Sequence, residues 1–308
     1  MINKTLKLTV YALFLCLIAS GCSIKGIALN AVGDALSGTG TVFTGDNDPE
    51  LVGDALPFAL KMYESVLDGA PDHKSLILAT SKAFCMYAYA FVQTEAEKET
   101  EDNFEKAKEL KARAKKLFIR SRDYALRGLE LNHPGFNALL KTNIPKAMAM
   151  TNKEDLGLLY WGGAAWVAAL TADKNDIQLM VDMQTGGAMV ARVLELDDAY
   201  GEGSAHGFFI SYDGSRSPAM GGSEKKAREH FEKAVEYSKG KDCSPYISLA
   251  TAVSVTNQNA AEFKELLNKA LAIDADKYPE YRLANIIYQR RAKWLLERVS
   301  DYFVNEGE

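Results

Sequence analysis

Four cysteines and four histidines are the residues of this 308-residue chain best suited to nucleophilic, acid–base or metal chemistry, and their spacing decides which is open. The histidines are scattered. His73 and His133 stand in turn-like stretches near Pro71 and Pro134, His206 in a glycine-rich stretch, and His230 in a helical pattern over residues 225–238. No HExxH, GxSxG, P-loop or GxGxxG segment occurs, and no cysteines have CxxC or Cys/His metal spacing. Glycine pairs raise the question of phosphate binding. Gly162-Gly163 and Gly186-Gly187 fall within helical patterns, where close helix contact explains them better, and Gly221-Gly222 reads as a loop feeding the N-cap at Ser223-Glu224. With no local grouping of nucleophile, base and oxyanion donor, neither an enzyme nor a cofactor is expected.

Cys22 has a different context. Lys4 and Lys7 precede an apolar run from Leu8 to Ala19, the layout of a secretory signal. The run is shorter than the roughly 20 apolar residues that a spanning helix needs. Ala19-Ser20-Gly21-Cys22 resembles the lipobox at which bacterial lipoprotein signals are cut, with alanine for the commoner leucine at its first position. Residues 1–21 are therefore expected to leave, and Cys22 to carry acyl chains that anchor the chain to a membrane. Cys16 leaves with the signal. Of the remaining pair, Cys85 sits among Phe84, Met86, Tyr87 and Tyr89 and reads as a small buried hydrophobe, with a disulfide to Cys243 as the other reading.

Lysine and arginine number 36 against 41 acids, and loss of Lys4 and Lys7 makes the chain more acidic still. Without a basic stripe, nucleic acid is not an expected partner, nor is electrostatic docking on anionic lipid.

Residues 22–47 read as a spacer, a weak amphipathic helix followed by the Gly/Thr-rich Ser37–Thr41. Residues 48–308 read as one helical domain. Apolar residues recur at three and four almost everywhere, and no period-two run stands out, so the class is all-α. Start signals are Asp48-Pro49-Glu50, Asp72-His73, Ser223-Glu224 and Asn259 with Glu262, and Pro57 is expected to kink the first domain helix. The segments YESVLDGAPDH (63–73), YALRGLELNHP (124–134), VARVLELDDAY (190–200), FEKAVEYSKGK (231–241) and LNKALAIDADKYP (267–279) share an apolar, small, apolar pattern before a turn. They resemble the second-helix ends of tetratricopeptide repeats at irregular spacing, which implies degenerate stacked hairpins, an α-solenoid; a plain helical bundle is the alternative. The charged segment 95–116 reads as a solvated helix face with Phe104, Leu110 and Leu117 as its apolar stripe and Glu105/Lys108 and Glu109/Lys111 or Arg113 as neighbours.

Aromatic density is the remaining signal. LGLLYWGGAAWVAAL (156–170) carries Trp161 and Trp166 five apart, so the two rings point in different directions on a helix, one toward core and the other available to a cavity. FCMYAYAFVQ (84–93) and the stretch 203–222 are similarly rich.

Together with the lipobox, DNDPELVGDALPFALKMYESVL (46–67), YAYAFVQTEAE (87–97), LLYWGGAAWVAAL (158–170), MGGSEKKAREHFEKAVEYS (220–238) and YRLANIIYQRRAKWLL (281–296) resemble TatT. That family is the tetratricopeptide lipoprotein component associated with tripartite ATP-independent periplasmic (TRAP) transporters. The resemblance implies a lipid-anchored protein of the bacterial envelope with its domain in the periplasm, a possible homotrimer bearing an apolar pore or cavity. It further implies docking of a periplasmic solute-binding protein that carries a small hydrophobic or carboxylate-bearing ligand. Carried over, Tyr89, Tyr160, Trp161, Phe208 and Phe209 become cavity-lining candidates, and Arg282 and Asn285 polar contacts. An envelope scaffold that holds a protein assembly on a concave repeat surface is the alternative.

Overall fold

The structure, a computed structural model, describes residues 21–38 and 41–304. Among these, every regular element is a helix. The signal segment expected over residues 1–21 lies outside the described residues but for Gly21, as does the side chain of Cys22. Helix α1 (Gly21–Leu36) runs through the expected spacer and rests on the domain, with the His73 imidazole Nε2 3.0 Å from the carbonyl of Asn30.

Domain helix α2 (Pro49–Gly69) starts as its sequence indicates: the Asp48 carboxylate accepts from the Leu51 amide at 3.0 Å, Pro49 occupies the first turn, and Pro57 lies inside without ending the helix. Next, α3 (Lys74–Tyr87) is capped by the imidazole of His73, which accepts from the Leu76 amide. It passes into a π-helical turn (Ala88–Gln93) and then α4 (Thr94–Asp102). The stretch Lys74–Thr100 is the one described helix long and apolar enough to cross a membrane, but half of its most apolar window is buried inside the protein, as in a core helix.

The charged segment does not form one helix. Asn103 stops α4 and caps α5 (Phe104–Asn132), its side chain accepting from the Lys106 amide at 3.2 Å. Its charges also pair differently from the neighbours along the helix: Lys115 reaches Asp173 and Asp176 at 2.9 and 2.6 Å, Arg113 donates to the Tyr87 hydroxyl at 3.1 Å, and Glu97 holds Arg291. Phe104, expected on the apolar stripe, is 65% exposed. Packing partners far along the chain, rather than local spacing, determine where these side chains go.

Short α6 (Phe136–Thr142) and α7 (Ile144–Met150) lead to α8 (Leu156–Ala172), α9 (Ile177–Leu196), α10 (Tyr200–Gly214) and α11 (Glu224–Tyr237). Then come α12 (Ser244–Leu249) with a second π turn (Ala250–Ser254), α13 (Ala260–Leu271), α14 (Arg282–Glu297) and α15 (Val299–Tyr302). All five repeat-like segments coincide with helix C-termini, at Gly69, Asn132, Leu196, Tyr237 and Leu271. Ser223 and Asn259 cap α11 and α13 as their sequence indicates.

Successive long helices pack antiparallel. Ser81 and Ser121 exchange hydroxyl hydrogen bonds with each other's carbonyls between α3 and α5, at 2.9 and 2.7 Å. Helices α8 and α9 touch at backbone distance, since a Cβ on Gly163 would stand 2.6 Å from the Gly186 carbonyl and one on Gly186 would stand 2.9 Å from the Gly163 carbonyl. The glycine pairs thus serve helix contact. One core cluster runs from α2 to α10 around Phe84, Phe118 and Phe136, and a second from α10 to α15 around Phe263, Ile247 and Leu267. Each such fully buried side chain contributes about 1.5–3 kcal/mol.

The array then closes on itself. Arg290 of α14 pairs with Glu50 of α2, Arg291 grips Glu97 of α4 through two bonds of 2.8 and 2.9 Å, and the Leu283 amide donates to the Thr44 carbonyl at 3.0 Å. Tyr281 also donates to Glu202 of α10 at 2.7 Å.

Candidate functional site

Closure brings tyrosines from four elements to one interior. Tyr89 stands in the first π turn, whose wider coil shifts the direction of the side chains that it carries, and the Thr94 hydroxyl donates to the Tyr89 carbonyl at 2.9 Å. Its ring tilts against Tyr288 of α14, centroids 6.0 Å apart. Tyr160 of α8 meets Trp161 edge-on at 5.0 Å and Tyr200 of α10 at 5.5 Å. All five rings are half-buried. Desolvation pushes the Tyr200 phenol up to about 12 and raises those of Tyr160 and Tyr288 as well. The Asp242 carboxylate adds to the rise at both, and Tyr160 acts on Tyr288 in turn, so the two tyrosine pairs are within electrostatic reach of each other and of that acid.

Charged groups border this interior as well, among them Lys82, whose ammonium stands 5.9 Å over the Trp161 ring. Arg291 is matched by Glu97. Asp242 accepts from the amide and the hydroxyl of Ser244, both at 2.8 Å, and among the described residues it makes no ion pair. Burial raises its pKa, the Ser244 bonds opposing.

Phe208 and Phe209 lie apart from the tyrosines, in a second aromatic group. They meet edge-on at 5.1 Å, Phe208 stacks on Tyr212 at 5.3 Å, and Phe209 on His230 at 5.0 Å. Here the α10–α11 seam holds an imidazole pair, His206 Nδ1 standing 2.7 Å from His230 Nδ1. Asp198 lies 3.2 Å from His206 Nε2, and Asp213 lies 3.8 Å from His230 Nε2. Tyr237 and Lys233 hold the Asp198 carboxyl at about 2, with burial opposing. Desolvation lowers both imidazoles, and Asp198 only partly offsets this at His206. An Nε2–H of His206 facing Asp198 leaves its Nδ1 to accept from the Nδ1–H of His230, a neutral pair sharing one proton between the facing nitrogens.

The two polar candidates on α14 tie backbone segments together. Arg282 donates to the Gly45 and Asp276 carbonyls at 3.0 and 3.1 Å. Asn285, fully buried, accepts from the Cys243 amide at 2.9 Å and donates to the Lys241 carbonyl at 2.8 Å. Trp166 is buried and Trp161 half-buried, matching the divided directions that their spacing implies.

Sequence reading missed Tyr200, Tyr288, Asp242 and the histidine pair. Only Tyr288 had a usable signal, standing seven residues after Tyr281 and hence on one helix face with it.

As for reactive chemistry, Cys85 and Cys243 are free and buried, and burial pushes both thiols up to about 12, which leaves them poor nucleophiles. Among the described residues, no group of three or more His, Cys, Asp or Glu is arranged to hold a metal. On the outer surface, an open groove of about 430 Å³ between α2 and α5 is lined by Glu64, Lys116, Arg120, Asp123, Tyr124 and Arg127 among others. Its charges of both signs are in contact with solvent.

Comparison with known proteins places the chain in a family. An uncharacterised protein of Treponema pallidum (strain Nichols) is 32% identical over 321 residues, an alignment that takes in 98% of this chain and 99% of the relative. Residues 45–303, from just before α2 to just past α15, match the model of a single family. The chain belongs to the TRAP transporter T-component family.

Proposed function

We propose that this chain is a lipid-anchored accessory subunit of a TRAP-type transport system in the bacterial envelope. Cys22 carries the lipid, and α1 leads from the membrane to a periplasmic domain built of degenerate tetratricopeptide-like hairpins. The domain docks a periplasmic solute-binding protein and accepts its small ligand in the interior walled by Tyr89, Tyr160, Trp161, Tyr200 and Tyr288. Family membership supports the transport role. The observation that carries the ligand reading is the convergence of half-buried tyrosines from α8, α10, α14 and the first π turn, which leaves aromatic surface from four elements turned to one interior for a ligand to touch.

Docking needs an exposed surface that a partner can cover. Leu51, Phe58 and Met62 provide one along α2, at seven- and four-residue steps and 60, 71 and 37% exposed. An envelope scaffold would use the same surface but needs no partly open aromatic interior, and the interior favours transport.

The test is sedimentation of the chain from residue 23 onward with the solute-binding protein encoded nearest to its gene. A stoichiometric complex is expected, lost on Phe58→Asp. Absence of a complex at the highest soluble concentration would overturn the transport reading in favour of the scaffold.

A further inference from the structure

Helix α1 is held to the domain by more than chain continuity. The His73 side chain, 6% exposed, works with both of its nitrogens. Nδ1 accepts from the Leu76 amide at 3.2 Å and so caps α3, which leaves the proton on Nε2, 3.0 Å from the Asn30 carbonyl and 3.3 Å from the Asp34 carboxylate. One tautomer thus starts a domain helix and grips α1. Glycines let the surfaces meet, since a Cβ on Gly33 would stand 2.5 Å from the imidazole and one on Gly69 would stand 2.5 Å from Leu29. Leu29 and Leu36, seven positions apart and hence on one face of α1, both pack against the core cluster around Phe84.

The place of this contact decides which end of the array lies nearest to Cys22. His73 precedes α3, and antiparallel packing sets that start beside the end of α5 and the start of α8, where Arg127 donates to the Pro71 carbonyl and Asn132 donates to Asp155 at 2.8 Å. Cys22 comes eight residues before Asn30, about 12 Å of helix. The opposite end is marked by Lys115, bonded to Asp176 at 2.6 Å, and the α5 residues from Lys115 to Asn132 cover about 25 Å.

The two ends also differ in surface. Near His73, the turns expose Asp72, Asn152, Lys153 and Glu154, polar side chains that suit a hydrated layer of lipid headgroups. At the far end Phe104, Ile177, Met180 and Val181 are exposed. The apolar row on α2 starts there as well, Leu51 standing about 27 Å of helix from Gly69. Apolar surface of this kind is usable by a protein partner only where the bilayer does not crowd it.

We propose that α1 is a strut that stands the domain on the membrane, with the end at His73 and Asp155 toward the lipid headgroups and the end at Phe104 and Ile177 toward the periplasm. This rests on the reading of Cys22 as the lipidated residue. The imidazole of His73 is the positioning group, because it joins the strut to the domain.

The test uses the full chain, produced with its signal segment and reconstituted into phosphatidylcholine vesicles, with mass spectrometry reporting the acyl chains. A donor dye is placed at Lys153→Cys or at Lys174→Cys, exposed positions flanking the two ends of α8, while Cys85 and Cys243 are buried and escape labelling. Energy transfer to a headgroup-labelled lipid is expected to be about threefold or more stronger from position 153 than from 174, since α8 keeps them about 25 Å apart. Gly33→Leu drives a side chain into an imidazole that its own bonds hold in place, yet lies outside the domain. It is expected to speed hydrogen exchange over residues 28–36 and to make the two transfers equal, with the helix signal in circular dichroism retained. Equal transfer in the parent, or stronger transfer from position 174, overturns the inference, as does a Gly33→Leu variant that keeps the difference. A chain that carries no acyl mass overturns the lipid-anchor reading itself, and the strut with it.

Discussion

Substituting Gly163 by alanine tests whether backbone contact between α8 and α9 holds the centre of the array. The new Cβ would lie 2.6 Å from the Gly186 carbonyl oxygen, 2.8 Å from Val190 Cγ2 and 3.1 Å from Met189 Cβ. The nearest of these is backbone, so it cannot rotate aside, and the helices must part by about 0.8 Å to restore an ordinary contact of 3.4 Å. Overpacking of this kind costs about 1–3 kcal/mol, and the upper half applies because the obstacle is a carbonyl in mid-helix. Alanine's better helix propensity offsets about 0.8–1 kcal/mol. The net expectation is a loss of about 1–2 kcal/mol, or about 2–8 °C in Tm at this chain length. The control is Gly207→Ala on α10, where nothing lies within 4 Å of the added Cβ, so the propensity gain of up to about 1 kcal/mol should appear unopposed. Thermal and urea unfolding followed by circular dichroism at 222 nm measure both variants. A Gly163→Ala protein as stable as its parent, or a Gly207→Ala protein destabilised to the same degree, would refute the close-contact account.

Two further predictions concern residues that sequence reading placed without their partners. The facing Nδ1 atoms of His206 and His230 are compatible with only one proton between them, and desolvation holds both groups below their unfolded value. With depressed native pKa values, the contribution of the neutral pair is complete above the unfolded pKa of about 6.5 and is lost as pH falls through the native values. Tm should therefore decline between about pH 6.5 and 5, above the range where carboxylates titrate, and a flat profile there would count against proton sharing. Asn285→Leu should lower stability by about 2–4 kcal/mol in urea unfolding, because the Cys243 amide and the Lys241 carbonyl would be left buried without partners. A change below about 0.5 kcal/mol would show that the turn does not depend on the side chain.

Much of the architecture was legible because it depends on near neighbours. Asp48, Ser223 and Asn259 cap the helices that they precede, the five repeat-like segments end where helices end, and glycines 163 and 186 meet across a seam. The break at Asn103 was not seen because the charge pattern continues across it, while the charges pair with residues as distant as Asp173, Asp176 and Arg291. Three of the five interior rings, Tyr89, Tyr160 and Trp161, stand in visibly aromatic stretches. Tyr200 and Asp242 stand outside such stretches, and Tyr288 is marked only by its spacing from Tyr281; all three acquire meaning when α10, α12 and α14 come round to α8. The π turn that carries Tyr89 left no mark on the sequence, because its coil is a response to packing.

The clasp between the last helices and the first also orders events in time. Arg282 and Gly45 are 237 positions apart, and Arg290 and Glu50 are 240 apart. Hairpins in the middle of the chain can form as soon as their own residues are present, by contacts with the previous helix alone. The interior cannot, because Tyr288 and Arg291 arrive with the final tenth of the chain. A chain emerging N-terminus first is an open arc for most of its synthesis, with Tyr89 and Glu97 facing water until α14 reaches them. A premature stop or a C-terminal cut before Arg282 therefore leaves most helices in place and removes the wall of the interior that carries Tyr288 and Arg291.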